Sequence, residues 1–183
     1  MSVDRDQVLR AAAGLLTRKP TASMDEIAKT AGIGRATLHR HFSGRDALVR
    51  ALENHGIERL GRALDEARPE EGDAADAVRR MVACIEPVAG IIAFLYGENQ
   101  LYEGGMNEGW NRLDARITGL FRRGQEEGAF RLDLSPAWLT EALYGLVASG
   151  AWAVQDGRVA ARDISHMVSE LLLGGALRRR MEP

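Results

Sequence analysis

The stretch ASMDEIAKTAGIGRATLHRHFSGRDALV, residues 22–49, decides how this chain folds. Ser23-Met24-Asp25-Glu26 has the form of a capping box, in which a serine hydroxyl and a glutamate three residues on satisfy each other's free backbone amides. Ile27, Ala28 and Ala31 then give the new helix a buried side, and Gly32 ends it by permitting a left-handed turn. A short second helix is predicted from Arg35 to His41. It crowds Arg35, His39, Arg40 and His41 around Leu38 and Phe42, with Arg45 just beyond. Two short helices joined by a glycine turn, the second rich in hydrogen-bond donors, make a helix-turn-helix whose second helix fits the DNA major groove. Ala28 is small enough to let the helices approach, and Leu38 plugs the space between them.

Along the rest of the chain the apolar positions recur at three and four, and strand signals are nearly absent. The chain is therefore expected to be all-α, with about nine helices. A first helix runs over about 4–17, with Val8, Ala12, Leu15 and Leu16 on one face, and stops before Pro20. Beyond Asp46 a long helix carries Leu48, Leu52, Ile57, Leu60 and Leu64 toward Pro69. Further helices are expected at about 76–90, 91–96, 106–127, 135–156 and 159–180. The predicted division is a three-helix DNA-binding domain over 1–45 and a helical ligand-binding and dimerisation domain over 46–183.

Charge divides in the same way. The net charge of −2 hides 9 basic against 5 acidic residues in the first 50, a surplus of +4, and a balance of −6 in the rest. A basic front suits a polyanion. Composition is otherwise that of a soluble globular protein, 45% hydrophobic and 27% charged. Neither a secretory leader nor an apolar run long enough to span a bilayer is evident, so a cytoplasmic location is expected. The single Cys84 can form no internal disulfide and reads as a small apolar residue.

The segment GIGRATLHRHFSGRDALV, residues 32–49, resembles the DNA-binding signature of the TetR family of transcriptional repressors. It departs from the usual pattern at Gly34, where a capping serine is common, at His39, usually tyrosine, and at Gly44-Arg45, usually serine-lysine. The resemblance implies that Thr37, His39, His41 and Arg45 touch phosphates while Arg35, Ala36 and Arg40 face base edges; Ser23 joins the expected DNA contacts. This matches the general division in which phosphate contacts position a protein and a few side chains at base edges specify sequence. His39 and His41, two apart, point to different helix faces, so no metal site is expected, and no cofactor.

One short motif binds DNA weakly, so a homodimer on a palindromic operator is expected. The helix PAWLTEALYGLVASGAWAV, residues 136–154, and the last helix supply the candidate interface: Leu139, Leu143, Leu146, Val147, Ile164, Met167, Val168, Leu171 and Leu172. Small residues among them permit close helix approach, and the family resemblance implies the same interface.

Between head and interface, IIAFLYGENQLYEGGMNEGWNRLDARI, residues 91–117, sets aromatic residues beside carboxylates. Rings and carboxylates together attract organic cations. The candidate ligand lining is Phe94, Tyr96, Glu98, Tyr102, Trp110, Leu113, Asp114, Ile117 and Trp152. A lipophilic cation is the favoured effector, with a neutral or anionic ligand, or none, as alternatives.

The expected function is a ligand-responsive transcriptional regulator, a repressor released from DNA by a lipophilic cation in the manner of multidrug-efflux control. A DNA-binding regulator with no small-molecule effector, constitutive or under a protein partner, is the alternative. Nucleophile-elbow, phosphate-loop and dinucleotide motifs are lacking, so no enzyme is expected.

Overall fold

The computed structural model describes residues 5–98 and 107–177, and among these no strand occurs beyond a single bridge between Phe130 and Leu177. The helices are α1 (Arg5–Arg18), α2 (Met24–Thr30), α3 (Arg35–His41), α4 (Arg45–Ala67), α5 (Ala74–Ile85), α6 (Ala89–Tyr96), α7 (Glu108–Glu126), α8 (Pro136–Gln155) and α9 (Ile164–Ala176). The architecture is all-α, as the spacing of apolar residues required. Boundaries differ where a cap overrides periodicity. α5 starts at Ala74 because the Asp73 carboxylate accepts from the amides of Ala75 and Asp76. The last helix starts at Ile164 and not Val159, because Gly157 takes a left-handed φ of 68° and a 3-10 turn, Ala161–Asp163, intervenes.

Two hydrophobic cores result. The head's core gathers Val8, Ala12 and Leu16 of α1, Ile27 and Ala28 of α2, Leu38 of α3, Phe42, and Leu48, Val49 and Leu52 of α4. The larger core joins the second half of α4 (Leu60, Leu64, Ala67) to α5, α7, α8 and α9. Two helices serve both. α4 changes allegiance midway, and α6 sends Ile91, Phe94 and Leu95 into the head's core while Ala89, Ile92 and Ala93 face the other. Where α4 crosses α6, Gly56 gives the close approach: a Cβ there would lie 2.6 Å from Leu95 Cδ1 and 3.0 Å from Ile91 Cγ2. Trp110 packs against both cores at this crossing.

The predicted dimer stripe divides on inspection. Leu139, Leu143, Val147, Ile164, Val168 and Leu172 lie in the protomer's own core, and Leu146 is half-buried against it. An amphipathic helix turns its continuous apolar stripe inward first, since that removes most apolar surface from water. What α8 and α9 leave outside only partly overlaps it. Trp138 (60% exposed), half-buried Gly145 and Trp152 repeat every seventh residue, and Met167 and Leu171 (66% exposed) follow on α9. Of the predicted stripe, Met167 and Leu171 alone are exposed.

Candidate DNA interface and effector-facing seam

The capping box forms as its residues dictate. The Glu26 amide donates to Ser23 Oγ at 3.3 Å, and the Ser23 amide donates to Glu26 Oε2 at 2.8 Å. Lys19 Nζ donates to the same carboxylate at 2.6 Å, and these bonds, Lys19's first, hold Glu26 down at about 2. Gly32 adopts φ 70° in the turn, and Gly34 starts α3 with no side-chain cap, as expected from its missing hydroxyl. Leu38 and Phe42 are buried and fix α3 against α1, α2 and α4.

That anchoring leaves the opposite face of α3 outside. Arg35, Ala36, His39, Arg40 and His41 are exposed and Thr37 is half-buried. Arg35 holds Asp25 at 2.9 Å, and Arg40 donates to Thr37 Oγ1 at 3.2 Å. Both contacts are exposed, so they are weak and readily exchanged for a phosphate or a base edge. Two expected contacts are otherwise employed. The Ser23 hydroxyl belongs to its cap. Arg45, expected at a phosphate, is half-buried: it donates to Pro20 O at 2.6 Å and Ala22 O at 3.2 Å, and lies 3.8 Å from Glu98. Its guanidinium staples the α1–α2 loop to the start of α4.

The predicted ligand residues scatter across several layers. Phe94 is buried in the head's core, while Leu113 and Ile117 belong to the larger one. Tyr96 is 42% exposed at the end of α6, its hydroxyl 3.9 Å from where a Cβ on Gly145 of α8 would stand. Glu98 pairs with Arg45, Trp152 lies on the outer face, and Tyr102 falls outside the described residues. Trp110 and Asp114 remain side by side, one turn apart on α7, on the face toward the junction.

Along the α7–α8 seam the hydroxyls of Thr118 and Thr140 meet at 2.9 Å. The helices are consecutive and joined by a short loop, hence antiparallel. One turn back from Thr118 is Asp114, and one turn on from Thr140 is Tyr144. Here the seam does not close. The Tyr144 hydroxyl is buried without a hydrogen-bond partner, and Asp114 has neither a hydrogen bond nor an ion pair among the described residues. Burial raises the Asp114 carboxyl above its ordinary range. Burial first, then the charge of Asp114, pushes the Tyr144 phenol up as well. Tyr144 was not singled out in the sequence; the available signal was a lone phenol four residues after Thr140 on an otherwise apolar helix. Glu53 of α4 is a second buried carboxylate, raised by burial and partly relieved by a hydrogen bond from Asn107, which also caps α7.

Head and helical body together define a helix-turn-helix DNA-binding regulator. A family model described as bacterial regulatory proteins of the tetR family matches residues 8–52. The chain is 29% identical over 174 residues to the HTH-type transcriptional regulator NfxB of Pseudomonas aeruginosa, covering 93% of each. It is also 29% identical over 171 residues to the HTH-type transcriptional repressor LfrR of Mycolicibacterium smegmatis, covering 93% of this chain and 89% of that one. The solved structure of the TetR-like regulator LfrR in complex with proflavine superposes with a TM-score of 0.73 at 28% identity, over 96% of this chain and 97% of the other. Residues 8–52 thus carry a tetR-type DNA-binding domain, and over nearly its whole length the chain is similar to transcriptional regulators of that family. Among the described residues, no helix is long and apolar enough to cross a membrane.

Proposed function

We propose that this chain is a cytoplasmic repressor that holds a palindromic operator as a homodimer and leaves it when a lipophilic organic cation enters the α7–α8 seam, a control of the multidrug-efflux kind. In this reading residues 1–45 read DNA and residues 46–183 bind ligand and dimerise. Arg35, Ala36 and Arg40 face base edges, while Thr37, His39 and His41 touch phosphates. The exposed stripe of Trp138, Trp152, Met167 and Leu171 meets its symmetry mate.

The observation that carries the proposal is the shared anchoring of α4 and α6. Trp110, one turn from Asp114, packs against the head's core and the larger core alike. A ligand wedged beside Trp110 therefore moves the two helices on which the head is mounted. Release requires the ligand to bind the DNA-incompetent arrangement more tightly than the competent one. Asp114 supplies an unpaired carboxylate and Trp110 an aromatic wall, a combination that favours cations by about 0.5–2 kcal/mol per ring contact. The regulator solved with proflavine, an aromatic cationic dye, has this chain's fold over nearly its whole length.

The test is fluorescence anisotropy of labelled DNA from upstream of the gene, titrated with protein and then with proflavine. A rise in anisotropy on protein binding that falls back as the dye is added supports the reading. A complex indifferent to proflavine and to a panel of lipophilic cations overturns the effector, and no complex even at low salt overturns the regulator's proposed operator.

A further inference from the structure

We propose that Asp114 and Tyr144 act as one recognition element that selects, among lipophilic cations, those carrying N–H donors: protonated amines, amidines and amino-substituted aromatic cations, in preference to quaternary ammonium or phosphonium ions. The inference rests on the reading of the α7–α8 seam as the effector site and names the chemistry that site accepts.

The seam supplies its own contrast. At Thr118 and Thr140 the two helices satisfy each other's hydroxyls at 2.9 Å. One turn along, Asp114 and Tyr144 take the corresponding positions, close enough for the Asp114 charge to act on the phenol, and neither makes a hydrogen bond among the described residues. The Tyr144 oxygen is sealed from solvent, and no described residue donates to it or accepts from it. A carboxylate can only accept, at up to about four positions, whereas a phenol can both accept and donate. The carboxylate and the phenol oxygen can each accept a further hydrogen bond. An N–H-bearing cation supplies the donors: one N–H to Asp114, a second to the Tyr144 oxygen, and a positive charge near the carboxylate.

A quaternary or phosphonium ion matches the charge and leaves both oxygens unbonded. Buried polar groups left unpaired by an analogue are what make such sites discriminate. The surroundings sharpen this. Ile117 and Leu143 are fully buried on the same two helices, and Trp110 stands one turn beyond Asp114.

The full-length protein is titrated by calorimetry with two probes, proflavine, which has N–H donors, and tetraphenylphosphonium, which has none. Both are measured for the wild type, Asp114→Asn, Tyr144→Phe and the double variant. The expected result is at least tenfold tighter binding of proflavine by the wild type. Tyr144→Phe should weaken proflavine at least fivefold and leave tetraphenylphosphonium unchanged. Asp114→Asn should weaken both at least tenfold, and the double variant should lose less than the two single losses combined.

Equal wild-type affinity for the two probes, or equal losses for both in Tyr144→Phe, overturns the selection while the cation site stands. Binding of neither probe by the wild type overturns the effector reading beneath it. Thermal melting separates a structural role. Removing an unpartnered buried hydroxyl should leave Tm unchanged or raised, and a lowered Tm with probe-independent loss assigns Tyr144 to the fold and overturns the proposal.

Discussion

Arg45, at the first position of α4, and Glu98, two residues past the end of α6, lie 3.8 Å apart, so the helix that carries the head and the helix that leads to residues 99–106 are joined by charge as well as by packing. Arg45 also holds the carbonyls of Pro20 and Ala22. Arg45→Ala should therefore destabilise the head, by about 1–2 kcal/mol for bonds from a half-exposed guanidinium. It should weaken binding to all duplexes through the population of folded head. Urea unfolding monitored alongside DNA binding checks this; a loss of binding with unchanged stability would return Arg45 to a phosphate-contact role.

Arg40 is exposed on α3 and, among the described residues, tied only to Thr37 Oγ1 at 3.2 Å. Arg40→Ala should cost about 1–3 kcal/mol on the preferred operator and little on unrelated DNA, flattening sequence preference. Competition binding against a set of single-base operator variants reads this directly.

Gly56 permits the crossing of α4 over α6. In Gly56→Ala the new methyl would stand 2.6 Å from Leu95 Cδ1, the end of a flexible side chain, so α6 or Leu95 must shift. Overpacking of this kind costs about 1–3 kcal/mol. Because the clash sits where head and body meet, DNA affinity should change along with Tm, which a conservative change deep in the larger core would not produce.

His55 is buried on α4, its Nδ1 3.9 Å from Asp6 and its Nε2 without a partner. Burial, the largest effect, lowers its pKa below the ordinary 6.5; Asp6 and Glu58 oppose this, while Arg59 and Arg10 reinforce it. The folded state thus binds this proton less readily than the unfolded chain. Stability is then full above about pH 6.5 and is lost as pH falls from there toward the lowered value. Asp114 and Glu53, raised by burial, act with the opposite sign at lower pH. Thermal melts from pH 7.5 to 5.5 should show a falling Tm that His55→Gln flattens; an unchanged slope in that variant would remove His55 from the account.

The outer stripe and the inner stripe of α8 and α9 should behave differently. Leu171→Glu, at a 66% exposed position, should convert dimer to monomer in light scattering while leaving monomer helicity intact. Leu172→Ala, in the core, should cost about 2–5 kcal/mol of folding stability. If Leu171→Glu leaves the assembly dimeric, the outer stripe is not the interface.

Local chemistry made the head legible in sequence. The capping box, the glycine turn and the span Arg35–His41 are set within about five residues of each other, by hydrogen bonds and φ preferences that need no distant partner. Helical periodicity likewise gave the all-α architecture and placed most helices. It could not say which side of α8 or α9 is solvent, because both faces carry apolar residues and the choice depends on which neighbours arrive. That is why Leu139, Leu143 and Leu172 of the predicted stripe lie in the core, while Met167 and Leu171 of that stripe lie outside with Trp138 and Trp152.

The family resemblance implied Arg45 as a phosphate ligand, while in the fold its guanidinium donates to the carbonyls of Pro20 and Ala22. Tyr144 and Asp114 stand thirty residues apart in the chain and face each other only because α7 and α8 run antiparallel, with Thr118 and Thr140 fixing their register at 2.9 Å. Short-range hydrogen bonding and helical period were thus the sequence's own to determine. Which helix face is buried, which cation is already paired and which polar groups are left waiting were decided by tertiary packing, since burial and charge pairing depend on residues far apart in the chain.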